Sequence, residues 1–403
     1  MKKIIMACGD GSFNLGDEAV IASFLRNIKL LDKDIEVVVF SCNPEKTKKM
    51  HGIESIKLEM SPLSLLKNLP KIVKEFRSMD LLVWGGGNLI TDAPSQLYTP
   101  FHLFKIFLAK LMKKKVAVYA IGVGQVKSDF TKFIVKKALT RVDLITLRDE
   151  ESRNILKKLG IKKKMYSEVD PAFDLKPAEK KKAIEIINSY RIDEKNLMIA
   201  FVPRRVFHRK QGNIIPVKYR VKFGLINKEK KAKFVKLKET LAKAADYLVE
   251  RLDANIIFIP MQMLEEQQQQ DEKISNEIIN KMKHKEKAFV INSYNHKVQE
   301  LKAVYGLMDL VVGIRFHAIV LGAGMGVPVV SLPYSQKGKR LTKMLGLEKY
   351  SIPIEDVEYK NLVENIEKVL SDKNDIKMNL KEKTKLLQEK AKFNVKLVCD
   401  MLK

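Results

Sequence analysis

Three side chains that could bind an anion lie in one stretch of the chain, residues 313–337 (GIRFHAIVLGAGMGVPVVSLPYSQK). Arg315 and His317 stand two apart at the start of an apolar run with helical spacing, and Lys337 follows the next apolar run. A helix N-terminus favours an anion, because its first N–H groups are unpaired and its dipole end is positive. A single histidine on an apolar helix is usually a core residue, but the adjacent arginine and the later lysine favour an anion-binding site.

Two glycine-rich segments follow apolar runs in the first half of the chain and could also hold a ligand. GDGSFNLGDEA (9–19) contributes Asn14 and Asp17, and WGGGNLITD (84–92) contributes Gly85, Gly86, Gly87, Asn88 and Asp92. Glycine allows the backbone to approach a ligand closely, and amides at a helix N-terminus bind anionic groups. The first segment has neither the glycine spacing of a P-loop nor that of a dinucleotide-binding loop. The structural alternative is that Asp17 caps a helix and that the glycines permit tight packing of a strand against a helix.

Three further charged residues stand where apolar runs end. Arg148 lies in TLRDEES (146–152), Arg204 in VPRR (202–205), and Glu265 in IPMQMLEE (259–266). If these runs are parallel strands, their ends meet at the ligand-binding edge of a sheet. Arg148 could reach a ligand there, or it could pair with a local carboxylate.

The order of strand-like and helix-like patterns predicts the fold class. Apolar runs such as KKIIMACG and IEVVVFS alternate with amphipathic runs such as DEAVIASFLRNIKLL, which implies right-handed βαβ units and parallel sheets. We predict an α/β protein with two Rossmann-like, doubly wound domains that face each other across a cleft. The predicted domains are 1–175 and 176–370, followed by a Lys-rich helical tail, 371–403. The basic segment 206–234 either contacts a membrane or acceptor or forms a solvated loop.

Composition narrows the setting in which the protein works. The chain has 403 residues and a formal net charge of +27, which fits a Lys-rich solvated surface or attraction to an anionic membrane. Nucleic-acid binding is disfavoured, because no zinc-finger spacing or aromatic RNA-binding motif is present. Cys8, Cys42 and Cys399 are far apart and odd in number, which is typical of a reducing compartment. We expect a cytoplasmic protein, with contact to the inner face of the cytoplasmic membrane as an open alternative.

Several segments together resemble the polysaccharide pyruvyl transferase family. They are, in the family's order, GDGSFNLGDEA, WGGGNLITD, AIGVG, TLRDEES, VDPAF, IPMQ followed by acids, and the stretch 313–337, spanning roughly residues 3–340. The most specific is the last, with Arg-x-His on a helix, a G-V-P-x-V strand and a lysine. Gln125, Thr91 and Phe316 depart from residues usual in the family (Pro, Gln and Leu), and they concern the acceptor more than the donor.

The resemblance implies a two-domain fold like that of the GT-B glycosyltransferases and a specific reaction. A pyruvyl group would pass from phosphoenolpyruvate to two hydroxyls of a sugar, forming a cyclic ketal and releasing phosphate. It also implies that Arg148, His317 and Lys337 hold the donor. Arg315 would help to neutralise the donor's carboxylate and phosphate.

Acid–base roles follow as hypotheses from the residue types. Imidazole titrates near neutral pH, so His317 is a candidate general acid, and Asp17 or Asp92 could accept a hydroxyl proton. No metal-ligand cluster is visible in the sequence, so we expect neither a metal nor a cofactor. The acceptor is a sugar or saccharide, and one carried on a lipid would suit the positive charge.

Two other functions fit the same segments. A GT-B glycosyltransferase would bind a nucleotide sugar, with Glu265 or Glu266 holding the ribose. A non-catalytic protein would bind anionic polysaccharide or membrane through its net charge of +27.

Overall fold

The computed structural model describes residues 2–9, 13–58, 62–93, 95–206, 228–263 and 265–403, without the side chains of Pro62 and of residues 265–270. Most of the basic segment 206–234 lies outside the described residues, so its role stays a prediction. The chain divides into two compact units. The first holds residues 2–175 and Gln388–Lys403, and the second holds residues 176–206 and 228–387.

The first unit is built on a seven-stranded parallel sheet in the order β3-β2-β1-β4-β5-β6-β7. Its strands are β1 (Lys2–Cys8), β2 (Ile35–Ser41), β3 (Ser55–Lys57), β4 (Leu81–Gly85), β5 (Lys115–Ile121), β6 (Leu144–Leu147) and β7 (Tyr166–Ser167). Its helices are α1 (Leu15–Leu31), α2 (Pro44–His51), α3 (Pro62–Ser78), α4 (Tyr98–Leu111), α5 (Asp129–Leu139) and α6 (Glu150–Lys158). The strand order reverses between β1 and β4, which makes this point the expected ligand site of the sheet.

The second unit has a five-stranded parallel sheet in the order β10-β9-β8-β11-β12. Its strands are β8 (Met198–Val202), β9 (Asn255–Phe258), β10 (Ala288–Val290), β11 (Leu310–Gly313) and β12 (Val329–Ser331). The helices from here to the end of the chain are α7 (Lys180–Ser189), α8 (Lys228–Leu252), α9 (Glu265–Ile279), α10 (Val298–Tyr305), α11 (Phe316–Gly324), α12 (Gln336–Leu345), α13 (Tyr359–Ser371) and α14 (Lys373–Asp400). Here the order reverses between β8 and β11.

Local sequence accounts for many of these elements. The strand β4 is buried throughout, as expected for a parallel strand covered by helices on both faces. Polar residues begin helices: the Asn14 side chain accepts from the Gly16 N–H at 3.1 Å, and Asp149 accepts from the Ser152 N–H at 2.7 Å. Gly52, with φ 68°, ends α2 in the left-handed conformation.

The predicted alternation of strands and helices is confirmed in both units, as are the parallel, doubly wound sheets. Four helices were not predicted from the sequence, namely α2, α7, α12 and α13, which have 8 to 13 residues. Short helices depend on tertiary packing more than on their own pattern, which explains why periodicity missed them.

The segment predicted as a helical tail, 371–403, is helical over Lys373–Asp400. Its last part packs within the first unit. There the Asn394 amide donates to the Val169 carbonyl at 3.3 Å, and the Phe393 ring lies 6.3 Å from the Tyr166 ring.

Candidate active site

Asp17 lies at the switch point of the first sheet, between the loops that follow β1 and β4. It is half-buried in the first turn of α1. A Cβ added at Gly9 would lie 2.8 Å from the Asp17 side chain, and one added at Gly87 would lie 3.9 Å from its Oδ1. The structure therefore brings Asp17 together with both predicted glycine segments, and Asn14 fixes the start of its helix by capping it.

The glycines after β4 are required by close backbone approach within the protein. Gly85 and Gly86 have φ of 146° and 71°. A Cβ at Gly85 would lie 2.2 Å from the Tyr119 carbonyl oxygen, and one at Gly86 would lie 2.2 Å from Cys8 Sγ. The geometry thus supports the packing interpretation of these two glycines. Gly87 is also buried, but a Cβ there would make only ordinary contacts, with Leu89 at 3.6 Å and with Asp17 Oδ1 at 3.9 Å.

Asn88 lies against the next glycine loop, AIGVG. A Cβ at Gly122 would lie 3.3 Å from Asn88 Oδ1, and one at Gly124 would lie 3.4 Å from its Nδ2. Asn88 is half-buried, and its side chain lies beside the backbone of this loop.

Arg148 is buried at the end of β6, and its guanidinium is engaged with the protein. Nε donates to the Ala120 carbonyl at 2.8 Å, Nη2 donates to the Gly86 carbonyl, and Nη1 lies 2.8 Å from Asp170 Oδ2. Ala120 has a φ of 44°, a conformation uncommon for a residue with a side chain. Arg148 therefore links the end of β5 to the segment that follows β4. Asp170 is the local carboxylate that the sequence left open as an alternative partner.

Asp92 is also buried and makes structural contacts. Its Oδ2 accepts from the N–H groups of Lys127 and Ser128 at 2.7 and 2.9 Å. These bonds hold the loop that leads into α5. Its Oδ1 is buried and has no hydrogen-bond partner among the described residues.

Arg315 lies at the switch point of the second sheet, directly before α11. It is buried and paired with Asp271 of α9, with 2.7 Å between Nη2 and Oδ2. Asp271 Oδ2 also accepts from the Met261 N–H at 3.0 Å. Arg315 Nε is buried and has no hydrogen-bond partner in the described part of the chain.

The side chains of His317 and Lys337 both contact the ring of Phe316. His317 is the second residue of α11, is buried, and has its ring 5.1 Å from the Phe316 ring. The Lys337 Nζ lies 3.9 Å from the centroid of the Phe316 ring, a cation–π contact. The structure thus brings the Arg-x-His helix and the predicted lysine together through an aromatic side chain.

Arg204 joins the same edge of the second sheet, because it follows β8. Its guanidinium donates to the Tyr334 hydroxyl, and Cζ lies 4.9 Å from the Tyr334 ring centroid. Tyr334 follows β12, three residues before Lys337. Glu265 begins α9, but its side chain lies outside the described residues, so its ribose-binding role stays a prediction.

Two tyrosines lie buried close to the ionised groups. Burial raises the pKa of Tyr119 well above its ordinary value, and the charges of Cys8 and Asp170 add to the effect. Burial likewise raises the pKa of Tyr305, and the nearby Asp271 adds to it against an opposing effect of Arg315. Both phenols therefore stay neutral and add no negative charge to an anion site.

Sequence reasoning missed three residues of these arrangements: Asp271, Tyr334 and the role of Phe316. Tyr334 and Phe316 stand within the stretch 313–337, where an aromatic residue beside a cation was a usable signal. Asp271 lies in EEQQQQDEK, which reads as a polar surface patch. Only the tertiary structure shows that this aspartate is buried against Arg315.

No group of three His, Cys, Asp or Glu side chains that could hold a metal ion occurs within the described ranges. Independence of a metal stays a prediction.

Solved structures with a similar fold are sugar-active proteins. They include a glycosyltransferase from Rickettsia africae ESF-5, with a TM-score of 0.62, 14% identity, and coverage of 100% of this chain and 99% of that chain. A UDP-GlcNAc 2-epimerase from Methanocaldococcus jannaschii has a TM-score of 0.57, 15% identity, and coverage of 92% and 93%. The fold is therefore that of the GT-B-like glycosyltransferases and epimerases.

The chain belongs to the polysaccharide pyruvyl transferase family, which matches residues 14–336. The resemblance inferred from the sequence motifs is confirmed. The amylovoran biosynthesis protein AmsJ of Erwinia amylovora is 20% identical, with coverage of 100% of this chain and 99% of that protein. The protein is a transferase of polysaccharide biosynthesis.

Proposed function

We propose that the protein transfers the pyruvyl group of phosphoenolpyruvate to two hydroxyls of a sugar in a cell-surface polysaccharide or its precursor. Family membership supports the reaction class. The observation that carries donor binding is the group of basic side chains at the carboxyl edge of the second sheet: Arg204, Arg315, His317 and Lys337. Phosphoenolpyruvate bears a carboxylate and a phosphate, and charge-assisted bonds from Arg and Lys to such groups are strong.

Arg315 is suited to this role because its geometry is fixed in advance. The pair with Asp271 holds one end of the guanidinium, and Nε is buried without a protein partner among the described residues. An oxygen of phosphoenolpyruvate could accept a hydrogen bond from Nε–H, a buried group that costs free energy when it is left unpaired. Lys337 is half-buried with its ammonium over the Phe316 ring, and it would supply a second positive charge for the phosphate.

The reaction needs one proton to arrive and two to leave. In the proposed sequence His317 protonates the methylene carbon, which becomes the methyl group, and C2 takes on oxocarbenium character. The first sugar hydroxyl adds to C2, and the second then displaces phosphate from C2 to close the ketal. Of the two hydroxyl protons, one restores His317, and the other is taken up by a carboxylate base and passed to the departing phosphate.

Asp17 is the better candidate for the base that receives a hydroxyl proton. It is half-buried in the first turn of α1, next to Gly9 and Gly87 of the two glycine segments. Asp92 is buried, and its Oδ2 already accepts two backbone N–H groups. We therefore propose Asp17 as the base, with Asp92 and Arg148 as positioning residues.

A donor-binding measurement tests this proposal. Phosphoenolpyruvate is expected to raise the melting temperature of the wild-type protein, and UDP-GlcNAc is not. Lys337→Ala should weaken phosphoenolpyruvate binding by about tenfold or more, because a charge-assisted contact is lost. Lys339→Ala is the matched control, since Lys339 is exposed two residues further along α12, and it should bind normally.

Stabilisation by UDP-GlcNAc but not by phosphoenolpyruvate would contradict the proposal. That result would favour the nucleotide-sugar glycosyltransferase, which the fold alone also accommodates.

A further inference from the structure

Large apolar side chains are exposed at the N-terminal ends of neighbouring helices in the first unit. Leu63 and Leu66 in α3 are 77% and 67% exposed, and Phe130 and Phe133 in α5 are 59% and 58% exposed. Leu97, directly before α4, is 58% exposed. Within each pair the residues are three apart, so their side chains are neighbours on the helix surface. They form small contiguous patches, not scattered single residues.

The three helices cover one face of the seven-stranded sheet. Their inward residues belong to a single core cluster, which includes Ile72 and Phe76 of α3, Leu103 of α4, and Val135 and Leu139 of α5. Each helix follows a parallel strand, so each begins at the carboxyl edge of the sheet. The exposed leucines and phenylalanines therefore lie toward the edge that also carries Asp17 and the glycine loops.

Basic side chains lie on the same helices as these apolar groups. The exposed face of α3 carries Lys67, Lys71, Lys74 and Arg77, and its one acid, Glu75, is paired with Lys3 at 3.0 Å. In α5, Lys136 and Lys137 stand near the phenylalanines, and the Lys137 Nζ lies 5.4 Å from the Phe133 ring centroid. The Lys132 ammonium is paired with the exposed Asp129 carboxylate at 2.8 Å. Apolar side chains interleaved with cations are the pattern of helices that lie in a membrane interface.

We propose that this apolar–basic surface, the exposed side of the N-terminal halves of α3 and α5 with Leu97 between them, docks on an anionic lipid bilayer. The leucine and phenylalanine side chains enter the interface, and the lysines meet the headgroups. No helix of the described residues is long and apolar enough to cross a bilayer, so the contact is with one surface. A second copy of the chain is a poorer occupant, because the two lysine-rich faces would repel each other.

The last helix, α14, offers a comparable but sparser surface and serves as a control. Its exposed Met378 and Leu386 are 70% and 54% exposed. They are separated by eight residues, roughly 12 Å along the helix, and Glu382 lies between them. Such isolated apolar residues are ordinary on soluble proteins and do not build a patch.

Co-sedimentation of the full chain with vesicles tests the proposal. Vesicles of phosphatidylcholine alone are compared with vesicles that contain phosphatidylglycerol, at low and high salt. The test variants are Leu63→Ser with Leu66→Ser, and Phe130→Ser with Phe133→Ser. The matched control is Met378→Ser with Leu386→Ser. All changed side chains are exposed, so circular dichroism should show wild-type folding for each variant.

We expect the wild-type protein to bind the anionic vesicles, with binding reduced at high salt. Each test pair should lower the partition coefficient by about tenfold, and the control should change it less than twofold. Equal loss in the control, unchanged binding in both test pairs, or no vesicle binding by the wild type would each overturn the proposal. Light scattering could instead show a dimer that the test substitutions dissociate, without vesicle binding. That result would overturn the proposal in favour of a second copy of the chain.

Phosphoenolpyruvate binding is measured separately, so failure of the membrane proposal leaves the donor assignment unchanged.

Discussion

At Gly86 the backbone leaves no space for a side chain. The residue has a φ of 71°, its carbonyl accepts from Arg148, and an added Cβ would lie 2.2 Å from Cys8 Sγ. Glycine is needed there for packing as well as for conformation. From the sequence alone, the glycines of 84–92 were compatible with either ligand contact or packing, because a sequence pattern does not show which atoms lie close to the backbone.

Gly86→Ala is expected to destabilise the protein by about 3 kcal/mol or more, since strain in φ adds to a collision with Cys8. Gly52→Ala is the matched control, because Gly52 has a φ of 68° but nothing within 4 Å of an added Cβ. It should cost only about 1–2 kcal/mol, the conformational part. Urea denaturation of the two variants measures the difference, and equal costs would show that the packing at Gly86 is unimportant.

The two candidate carboxylates of the first unit should respond differently to removal. Asp92→Ala should lower the free energy of unfolding by about 2 kcal/mol, because two partly buried backbone N–H groups lose a charged acceptor. Asp17→Ala should instead reduce turnover by about 100-fold or more when the rate is measured well below the melting temperature of the variant. If Asp17→Ala keeps normal turnover, another group receives the hydroxyl proton.

Between elements, the pair Arg315–Asp271 connects the start of α11 to α9 through buried charges. The sequence predicted Arg315 from its place after an apolar strand and before a helix. It did not predict Asp271, because pairing between residues 44 positions apart depends on the sheet order and not on local pattern. For Arg148 in the first unit, the sequence left pairing with a local carboxylate as an alternative, and the structure identifies that carboxylate as Asp170.

Asp271→Ala should destabilise the protein by about 3–5 kcal/mol, because Arg315 is left as an uncompensated buried charge. The double variant Arg315→Met with Asp271→Leu should recover most of this stability but should not bind phosphoenolpyruvate. Glu185→Ala, which breaks an exposed pair with Lys182, is the control and should leave the urea midpoint nearly unchanged. A double variant that still binds phosphoenolpyruvate would remove Arg315 from the donor site.

Across the whole molecule, the doubly wound sheets were predictable because alternating strands and helices leave few ways to bury parallel strands. The last helix was predictable as a helix, but its division between the two compact units was not. That division depends on single contacts such as Asn394 with Val169, and no periodic pattern encodes them.

The burial of Cys399 reports on how the end of the chain packs in the first unit. Burial raises the pKa of its thiol from its ordinary value near 9 to about 11, and the charge of Asp400 adds to the effect. The reactive thiolate of Cys399 is therefore scarce at pH 8. Because the folded state disfavours the thiolate, the free energy of unfolding falls as the pH rises from about 9 to 11. A thiol reagent at pH 8 should modify half-buried Cys42 well before Cys399, as measured by peptide mass spectrometry. Equal rates would show that the end of α14 does not stay packed.

The most direct test of the proposed function is phosphate release from phosphoenolpyruvate with a panel of amino sugars and lipid-linked saccharides. The wild-type protein should release phosphate with at least one acceptor, and the product should show the methyl resonance of a cyclic ketal. His317→Ala and Lys337→Ala should each reduce the rate by about 100-fold or more, and Lys339→Ala should not. Near-normal turnover of phosphoenolpyruvate by both His317→Ala and Lys337→Ala would contradict the account.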